Sequence, residues 1–317
     1  MDKRKLGRSG LTVSPFALGG NVFGWTIQRE KSFEILDKYI SSGFELIDTA
    51  DVYSTWGPGN HGGESETILG EWIKLRHNRT KLILATKVGK PMSPTQKGLS
   101  RKYIHTAVDA SLKRLGTDYI DLYQSHEDDK QTALEETMEA FTDLIRAGKV
   151  RAIGASNYSP ARFREALEVS HRYGYARYEC LQPAYNLYNR EFEKDFQSIC
   201  LGNGIGVISY YALASGFLSG KYRSEQDLIQ SARGAGIKKY LNPRGFGILS
   251  ALDKIAREYK TTQASIAIAW ILNNGAITAP IASATSVKQL EEITAAVKIK
   301  LDAGSVEELD KAGLLVD

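Results

Sequence analysis

The sequence contains little cysteine and no excess of charge of either sign. Its 317 residues include two cysteines, Cys180 and Cys200, without a CxxC spacing. We therefore expect two ordinary thiols rather than a disulfide framework or a zinc site. The net charge of +4 is spread along the chain without a long block of like charges. Charge therefore gives no support to a nucleic-acid-binding or membrane-surface role.

Long apolar segments are also missing. No segment approaches the roughly 18 uninterrupted apolar residues that a membrane-spanning helix needs. The basic start MDKRKLGRSG is not followed by the apolar core of a secretory signal. We therefore expect a cytoplasmic protein with reduced thiols. The 42% of hydrophobic and 25% of charged residues are ordinary for a chain that buries a full core.

Eight short apolar segments alternate with amphipathic ones along the chain. Each apolar segment is rich in β-branched or aromatic residues, as is typical of buried parallel strands. They begin at Phe16, Phe44, Leu82, Tyr119, Val150, Tyr178, Gly206 and Ala276. One amphipathic segment between them begins at Ser100, a typical helix N-cap, and ends at Gly116. Another opens with Ser159 followed by Pro160.

This alternation predicts an α/β fold with a single (β/α)8 barrel, a TIM barrel, as one domain over residues 1–317. We expect an N-terminal β-hairpin to cap the barrel and a helix to end the chain. A doubly wound open sheet is the alternative, which is weakened because no Gly-x-Gly-x-x-Gly follows the first strand. The longest segment without a strand, from Ser219 to Arg244, is interpreted as a functional lid.

Four ionisable residues lie where barrel strands are predicted to end, and such ends build the active site of this architecture. They are Asp48, Tyr53, Lys87 and His126. A free tyrosine titrates near pH 10, so we expect the neighbouring ammonium of Lys87 to lower the pKa of Tyr53. Asp48 would keep Lys87 protonated, and His126 would hold a carbonyl oxygen. The set predicts proton transfer to a substrate oxygen and is too poor in ligands for a metal site.

The motifs around these residues resemble those of the aldo-keto reductase family, in particular its bacterial branch similar to voltage-gated potassium channel β-subunits. The resemblance covers nearly the whole chain, with motifs in the family's order. They are RKLGRSGLTVSPFALGG, ELIDTADVYS, GGESETILGEW, SLKRLGTDYIDLY, GKVRAIGASNYS, LQPAYNLYNR, ASGFLSGKY and QLEE. It implies that Asp48, Tyr53, Lys87 and His126 are a catalytic tetrad. Tyr53 would be the general acid in carbonyl reduction and the base in alcohol oxidation.

The resemblance also implies a nicotinamide cofactor, NADP(H) or alternatively NAD(H), that lies extended across the barrel mouth. Its carboxamide would be held by Ser156, Asn157 and Gln182, with Tyr210 stacked on the nicotinamide ring. The pyrophosphate would meet Leu213, Ser215, Gly216, Leu218 and Lys221. The adenosine and its 2′-phosphate would meet Ser283, Thr285, Gln289 and Glu292.

Two departures from the family pattern leave the choice between NADP and NAD open. Thr285 stands where the family tends to have arginine, which is the better clamp for a phosphate monoester. Ile293 stands where the family tends to have asparagine.

The predicted substrate is a small carbonyl compound or alcohol, in a pocket formed by residues of the loops after the strands. These residues are Trp25, Trp56, His61 and Tyr211. Two other functions stay open: a cofactor-holding regulatory subunit with little turnover, similar to the channel-associated proteins, and an aldolase or lyase that forms a Schiff base at Lys87. The sequence leaves the substrate, the direction of the reaction and the oligomeric state undetermined.

Overall fold

Eight parallel strands close into a barrel at the centre of the computed structural model, which describes residues 2–230 and 234–314. A short antiparallel hairpin, β1 (Arg4–Lys5) and β2 (Thr12–Val13), precedes the barrel. The barrel strands are β3 (Ala17–Gly19), β4 (Leu46–Asp48), β5 (Ile83–Val88), β6 (Ile120–Ser125), β7 (Val150–Ser156), β8 (Tyr178–Gln182), β9 (Gly206–Ser209) and β10 (Ala279–Ala282). Pairing of β10 with β3 closes the barrel. All eight predicted strands are confirmed, and the open-sheet alternative is wrong.

Helices surround the barrel. Over the described residues they are α1 (Arg29–Ser41), α2 (Glu64–Arg76), α3 (Arg101–Leu115), α4 (Leu134–Arg146), α5 (Pro160–Tyr173), α6 (Phe196–Asn203), α7 (Pro243–Glu258), α8 (Gln263–Asn273), α9 (Val287–Ala295) and α10 (Ala303–Leu314). The predicted caps are confirmed. The Ser100 side chain accepts a hydrogen bond from the Tyr103 amide, Ser159 accepts from Arg162, and Gly116 ends α3 in the left-handed conformation.

The inward-facing side chains form two layers, which fix the position of the site. The lower layer is apolar and packs against Leu6, Leu11 and Val13 of the hairpin segment, so this end of the barrel is filled. It includes Leu46, Ala85, Leu122, Cys180 and Ile208. Side chains alternate along a strand, so the residue two positions further on faces inward again. Those positions hold Asp48, Lys87, Gln124, Gln182 and Tyr210. The polar layer therefore lies at the carboxyl ends of the strands.

The segment predicted as a lid contains no strand in its described part. It is built of short 3-10 helices, Glu225–Gln230 and Gly234–Tyr240, while residues 231–233 lie outside the described structure. It is anchored by the buried side chains of Tyr222, Ile237 and Tyr240, and the Tyr240 ring stacks on Phe217 with centroids 5.3 Å apart. Its function as a lid stays a prediction.

The thiols of Cys180 and Cys200 are both free and buried, as expected. No helix over the described residues has the length and apolar character that crossing a membrane requires. Within the same residues, no group of three or more potential ligands is arranged to hold a metal ion.

Candidate active site

The centre of the site is the buried ammonium of Lys87. Its Nζ donates hydrogen bonds to Asp48 Oδ2, to the carbonyl oxygen of Thr49 and to Tyr53 Oη, each at 2.8 Å. Burial lowers the pKa of Lys87, and the Asp48 carboxylate opposes that shift. Because three acceptors surround three N–H groups, Lys87 is held as an ammonium.

Tyr53 keeps its proton in this site. Burial of the phenol and then the negative charge of Asp48 raise the pKa of Tyr53 well above its usual value. The expectation that this pKa is lowered overall is therefore wrong, because burial and Asp48 outweigh the opposing effect of the Lys87 ammonium. The charge of Lys87 is balanced by Asp48, whose Oδ2 also accepts a hydrogen bond from Tyr53 Oη at 3.3 Å. A phenol that is protonated at neutral pH is ready to donate to a substrate oxygen.

The loop that presents Tyr53 continues the pairing of β4 with β5. The amide of Thr49 donates to the carbonyl of Ala85, and the amide of Asp51 donates to the carbonyl of Lys87. The loop then turns through a hydrogen bond from the Tyr53 amide to the carbonyl of Ala50. Since Thr49 and Asp51 are both tied to β5, the loop keeps Asp48 and Tyr53 next to Lys87.

His126 follows β6 directly, and its ring centroid lies 5.8 Å from that of Tyr53. Burial and then the positive charges of Lys87 and Lys90 lower the pKa of His126 well below its usual value. The imidazole is therefore neutral. Its buried Nδ1 has no hydrogen-bond partner among the described residues. A neutral imidazole at this place holds an uncharged substrate oxygen rather than an anion.

The polar groups predicted to hold a carboxamide are joined in a chain. Ser156 Oγ donates to the carbonyl of Gln182 at 2.9 Å, and Asn157 Nδ2 donates to Ser156 Oγ at 3.0 Å and to the carbonyl of His126 at 2.8 Å. The Tyr210 hydroxyl donates to Asn157 Oδ1 at 2.8 Å.

Gln182 connects this chain to the ionisable group. Its Nε2 donates to Asp48 Oδ1 at 2.9 Å and to Gln124 Oε1 at 3.3 Å. Both oxygens of Asp48 therefore accept hydrogen bonds, which keeps this buried carboxylate in one orientation. The structure thus brings the two predicted groups of residues together in a single network.

The loop after β9 has an unusual backbone. Ala214, Ser215 and Gly216 follow one another with positive φ, at 46°, 60° and 103°. Such a run turns the chain sharply and orients backbone N–H groups in one direction. The amides of Gly216 and Leu218 donate to the carbonyl of Leu213. A Cβ placed on Gly216 would lie 3.8 Å from Lys221 Nζ, so the ammonium of Lys221 lies against this loop.

The residues predicted to meet the adenosine end surround the start of α9. The amide and hydroxyl of Thr285 both donate to Gln289 Oε1 at 2.9 Å. Ser283 Oγ donates to Asn21 Oδ1 at 2.6 Å, and the carbonyl of Glu292 accepts a hydrogen bond from Ser265. Ile293 is buried in the core. Ile293 therefore contributes to the core and offers no polar group to a ligand.

Aromatic rings flank the phenol of Tyr53. The Trp56 ring lies 5.8 Å from that of Tyr53 and 5.7 Å from that of Trp25, and Tyr211 lies 4.8 Å from Tyr210. Trp56 and Tyr211 are 46% and 54% exposed, which is high for side chains of this size. The predicted pocket residue His61 is exposed, and its amide donates to Glu64 Oε1 at 2.7 Å.

A nicotinamide cofactor fits the residues that the sequence proposed for it. Asn157, Gln182 and Tyr210 lie beside the tetrad, because Gln182 bonds to Asp48 and Asn157 bonds to both the His126 carbonyl and the Tyr210 hydroxyl. The ammonium of Lys221, which lies against the turn at Gly216, is a donor of the kind that binds a pyrophosphate.

Sequence reasoning missed two groups of the site. One is the side chain of Gln124, and the other is the backbone carbonyl of Thr49, which accepts a hydrogen bond from Lys87. Gln124 had a usable signal, since it lies two residues after the inward-facing Leu122 of the same strand. The carbonyl of Thr49 had none, because every residue type carries one.

The closed parallel barrel brings a carboxylate, an ammonium, a phenol and an imidazole together at its mouth, an arrangement that can transfer a proton. The model of the aldo/keto reductase family matches residues 15–313, and the chain belongs to that family. It is therefore an NAD(P)-dependent oxidoreductase of carbonyl compounds.

Relatives with assigned names agree with this family. The chain is 33% identical to the uncharacterized oxidoreductase YrpG of Bacillus subtilis over 95% of this chain and 93% of the relative. It is 32% identical to the L-glyceraldehyde 3-phosphate reductase of Escherichia coli O157:H7, over 92% of this chain and 86% of the relative. It is 30% identical to the versiconal hemiacetal acetate reductase of Aspergillus parasiticus, over 98% of this chain and 96% of the relative. The resemblance to channel β-subunits stays a prediction.

Proposed function

We propose that this site reduces an aldehyde or ketone to the alcohol, and catalyses the reverse reaction, with Tyr53 as the proton donor to the carbonyl oxygen. The bound nicotinamide cofactor supplies the hydride. The observation that carries the proposal is the position of Lys87 Nζ, 2.8 Å from both Asp48 Oδ2 and Tyr53 Oη. Asp48 holds the ammonium, and the ammonium orients the phenol and stabilises the charge that develops on its oxygen.

The other residues of the mouth have separate roles in this proposal. Neutral His126 donates a hydrogen bond to the carbonyl oxygen and places it next to Tyr53 Oη. Ser156, Asn157 and Gln182 hold the carboxamide, and the Tyr210 ring packs on one face of the nicotinamide. The backbone from Leu213 to Leu218, with Lys221, holds the pyrophosphate.

Two alternatives receive less support. A Schiff-base aldolase needs Lys87 as a free amine, but its three N–H groups all donate to acceptors. A regulatory subunit with little turnover would not need a phenol whose proton is held ready in the barrel mouth. Borohydride trapping with a carbonyl compound and no cofactor separates the aldolase from the reductase, because only the aldolase leaves a covalent adduct.

We propose NADP(H) as the preferred cofactor, held at the start of α9. The first turn of this helix presents amide groups to an anion. Thr285 lies there, and the ammonium of Lys288 is exposed with no ion pair to any described residue. Lys288 therefore supplies the positive charge that an arginine at position 285 would have supplied.

Fluorescence titration with NADPH and NADH tests this assignment. We expect NADPH to bind more tightly than NADH. Lys288→Ala should weaken NADPH binding about tenfold and leave NADH binding nearly unchanged. Tyr210→Ala should weaken the binding of both about tenfold, because a stacked aromatic ring is worth about 0.5–1.5 kcal/mol beyond its buried area. Equal loss of both cofactors in Lys288→Ala would contradict the phosphate contact, and no binding of either would contradict the proposed function.

The exposed rings at the mouth favour substrates with a flat apolar group beside the carbonyl. We expect Trp56→Ala to lower kcat/KM for benzaldehyde-type substrates about tenfold and to change kcat/KM for short aliphatic aldehydes less than about threefold. Steady-state assays with both substrate types measure the difference. Tyr173→Ala is the matched control, since Tyr173 is 50% exposed but lies at the far end of α5. An equal loss for both substrate types would contradict this role of Trp56.

A further inference from the structure

A second buried polar cluster lies behind the site, between the barrel and helices α2 and α3. Thr86 and Lys87 are consecutive in β5, so their side chains point to opposite faces of the strand. Lys87 faces the barrel mouth, and Thr86 faces outward. We call the outward group, formed by Asp51, Glu66, Thr86, Arg114 and Tyr123, the outer cluster.

Glu66 forms the ion pair of the outer cluster with Arg114. Its Oε1 accepts a hydrogen bond from Thr86 Oγ1 at 2.6 Å, and its Oε2 accepts one from Arg114 Nε at 2.7 Å. Glu66 is fully buried, and the guanidinium of Arg114 balances its charge. Arg114 therefore has little capacity to balance a second carboxylate.

Asp51 is such a second carboxyl group. Its Oδ1 accepts a hydrogen bond from the Val52 amide at 2.6 Å, while its Oδ2 is buried and has no partner among the described residues. The hydroxyl of Tyr123 is equally buried and equally without a described partner. Burial and then the charge of Glu66 raise the pKa of Asp51 to about 8. At neutral pH Asp51 is therefore a carboxylic acid.

Every element around Asp51 contributes to this balance. Glu66 on α2 disfavours a negative charge on Asp51, whereas Arg114 on α3 and Lys87 on β5 favour it and are the smaller effects. Tyr103 on α3 and Tyr123 on β6 are neutral, because burial raises the pKa of both.

The position of Asp51 connects the outer cluster to catalysis. Asp51 lies between Asp48 and Tyr53 in a single loop, and its amide donates to the carbonyl of Lys87 at 3.2 Å. Its carboxyl caps the next amide of the same turn. A new negative charge here acts on the turn that presents Tyr53 and on the ammonium that orients it.

We propose that Asp51 is a positioning residue for the tetrad, which caps the turn that presents Tyr53 and is tied by its amide to the backbone of Lys87. A negative charge on Asp51 opposes the negative charge that develops on the Tyr53 oxygen during proton transfer. This inference rests on the proposed function. Asp51 touches neither substrate nor cofactor and acts through the turn and through Lys87. Loss of its proton in alkaline solution therefore lowers kcat while cofactor binding is retained.

Asp51→Asn tests the proposal, because asparagine has the same shape and never ionises. We expect the kcat of the wild type to fall above about pH 8, whereas Asp51→Asn keeps the wild-type kcat at pH 7 and retains it into more alkaline solution. Asp51→Ala, which loses the cap, should lower kcat about tenfold at pH 7 with an unchanged Kd for NADPH. The matched control is Asp118→Asn, which removes an exposed carboxylate after α3.

Thermal unfolding gives a readout that does not depend on activity. An unfolded aspartate titrates near pH 3.9, so between about pH 4 and pH 8 the folded wild type holds a proton that the unfolded chain has lost. The contribution of Asp51 to the free energy of unfolding therefore falls as the pH rises through that window. We expect the difference in Tm between Asp51→Asn and the wild type to increase from pH 5 to pH 8. The difference in Tm between Asp118→Asn and the wild type should stay constant.

Two results would overturn the proposal: an alkaline fall of kcat in Asp51→Asn that matches the wild type, or a Tm difference that does not grow with pH. Each of these results is obtained with a wild type that is active, so neither contradicts the proposed function. A wild type that reduces no carbonyl compound with either cofactor would instead overturn the proposed function and the positioning role with it.

Discussion

Tyr53→Phe is expected to lower kcat for carbonyl reduction by about 10²–10⁴-fold, the range that a positioned general acid contributes. The substitution removes only the hydroxyl that lies 2.8 Å from Lys87 Nζ. Since this phenol is held in its protonated form by burial and by Asp48, no other described group at the mouth combines a held proton with contact to Lys87. NADPH affinity should stay within about threefold. Stopped-flow hydride transfer and fluorescence titration measure the two quantities separately.

The matched control is Tyr211→Phe, which removes a hydroxyl from an exposed ring near the mouth. It should retain nearly all of the wild-type kcat. If Tyr53→Phe instead keeps more than about a tenth of the wild-type rate, the proton comes from another group, and neutral His126 is the next candidate. An equal loss in Tyr211→Phe would show that the assay reports packing at the rim rather than proton transfer.

The barrel was predictable because its strands are marked twice in the sequence. Each strand is a short apolar segment, and two of the helices that follow begin at a serine N-cap, Ser100 or Ser159. Helix α8 was not predicted, because its buried residues run without interruption from Gln263 to Ile271. A helix buried on all sides has no polar face, so its sequence lacks the 3.6-residue period on which the prediction depends.

That Asp48, Tyr53, Lys87 and His126 meet at the barrel mouth was predictable from the strand ends, but the electrostatics were not. The sequence places Lys87 near Tyr53 and suggests a lowered pKa for the phenol. The structure adds Asp48 at 2.8 Å from the ammonium and 3.3 Å from the phenol, with Asp48 and Lys87 fully buried and Tyr53 partly buried. The sign of a pKa shift depends on which of these contributions is largest. Ranking them requires interatomic distances, which the sequence does not contain. Asp51 was overlooked for the same reason, since only burial beside Glu66 distinguishes it from an ordinary loop aspartate.

Lys87→Met is expected to lower the free energy of unfolding by about 3–5 kcal/mol, the usual cost of removing one partner of a buried ion pair. Asp48 would then be a buried carboxylate that accepts only from Gln182 and Tyr53. Burial without a cation raises the pKa of a carboxyl group. The folded variant would therefore bind a proton more strongly than its unfolded chain, and its stability should increase as the pH falls toward 5. Chemical denaturation at several pH values measures this trend. The kcat of Lys87→Met should be lowered about as much as the kcat of Tyr53→Phe.

The double variant Lys87→Met, Asp48→Asn separates stability from catalysis. Asparagine keeps the acceptor for Gln182 Nε2 but carries no charge, so most of the lost stability should return and its pH dependence should disappear. Activity should not return, because Tyr53 still lacks the ammonium that orients its hydroxyl. A double variant as unstable as Lys87→Met would mean that packing around the Lys87 side chain, rather than the ion pair, stabilises the barrel mouth. A double variant with restored kcat would mean that Tyr53 donates its proton without Lys87, and the ammonium would then have no part in the proton transfer.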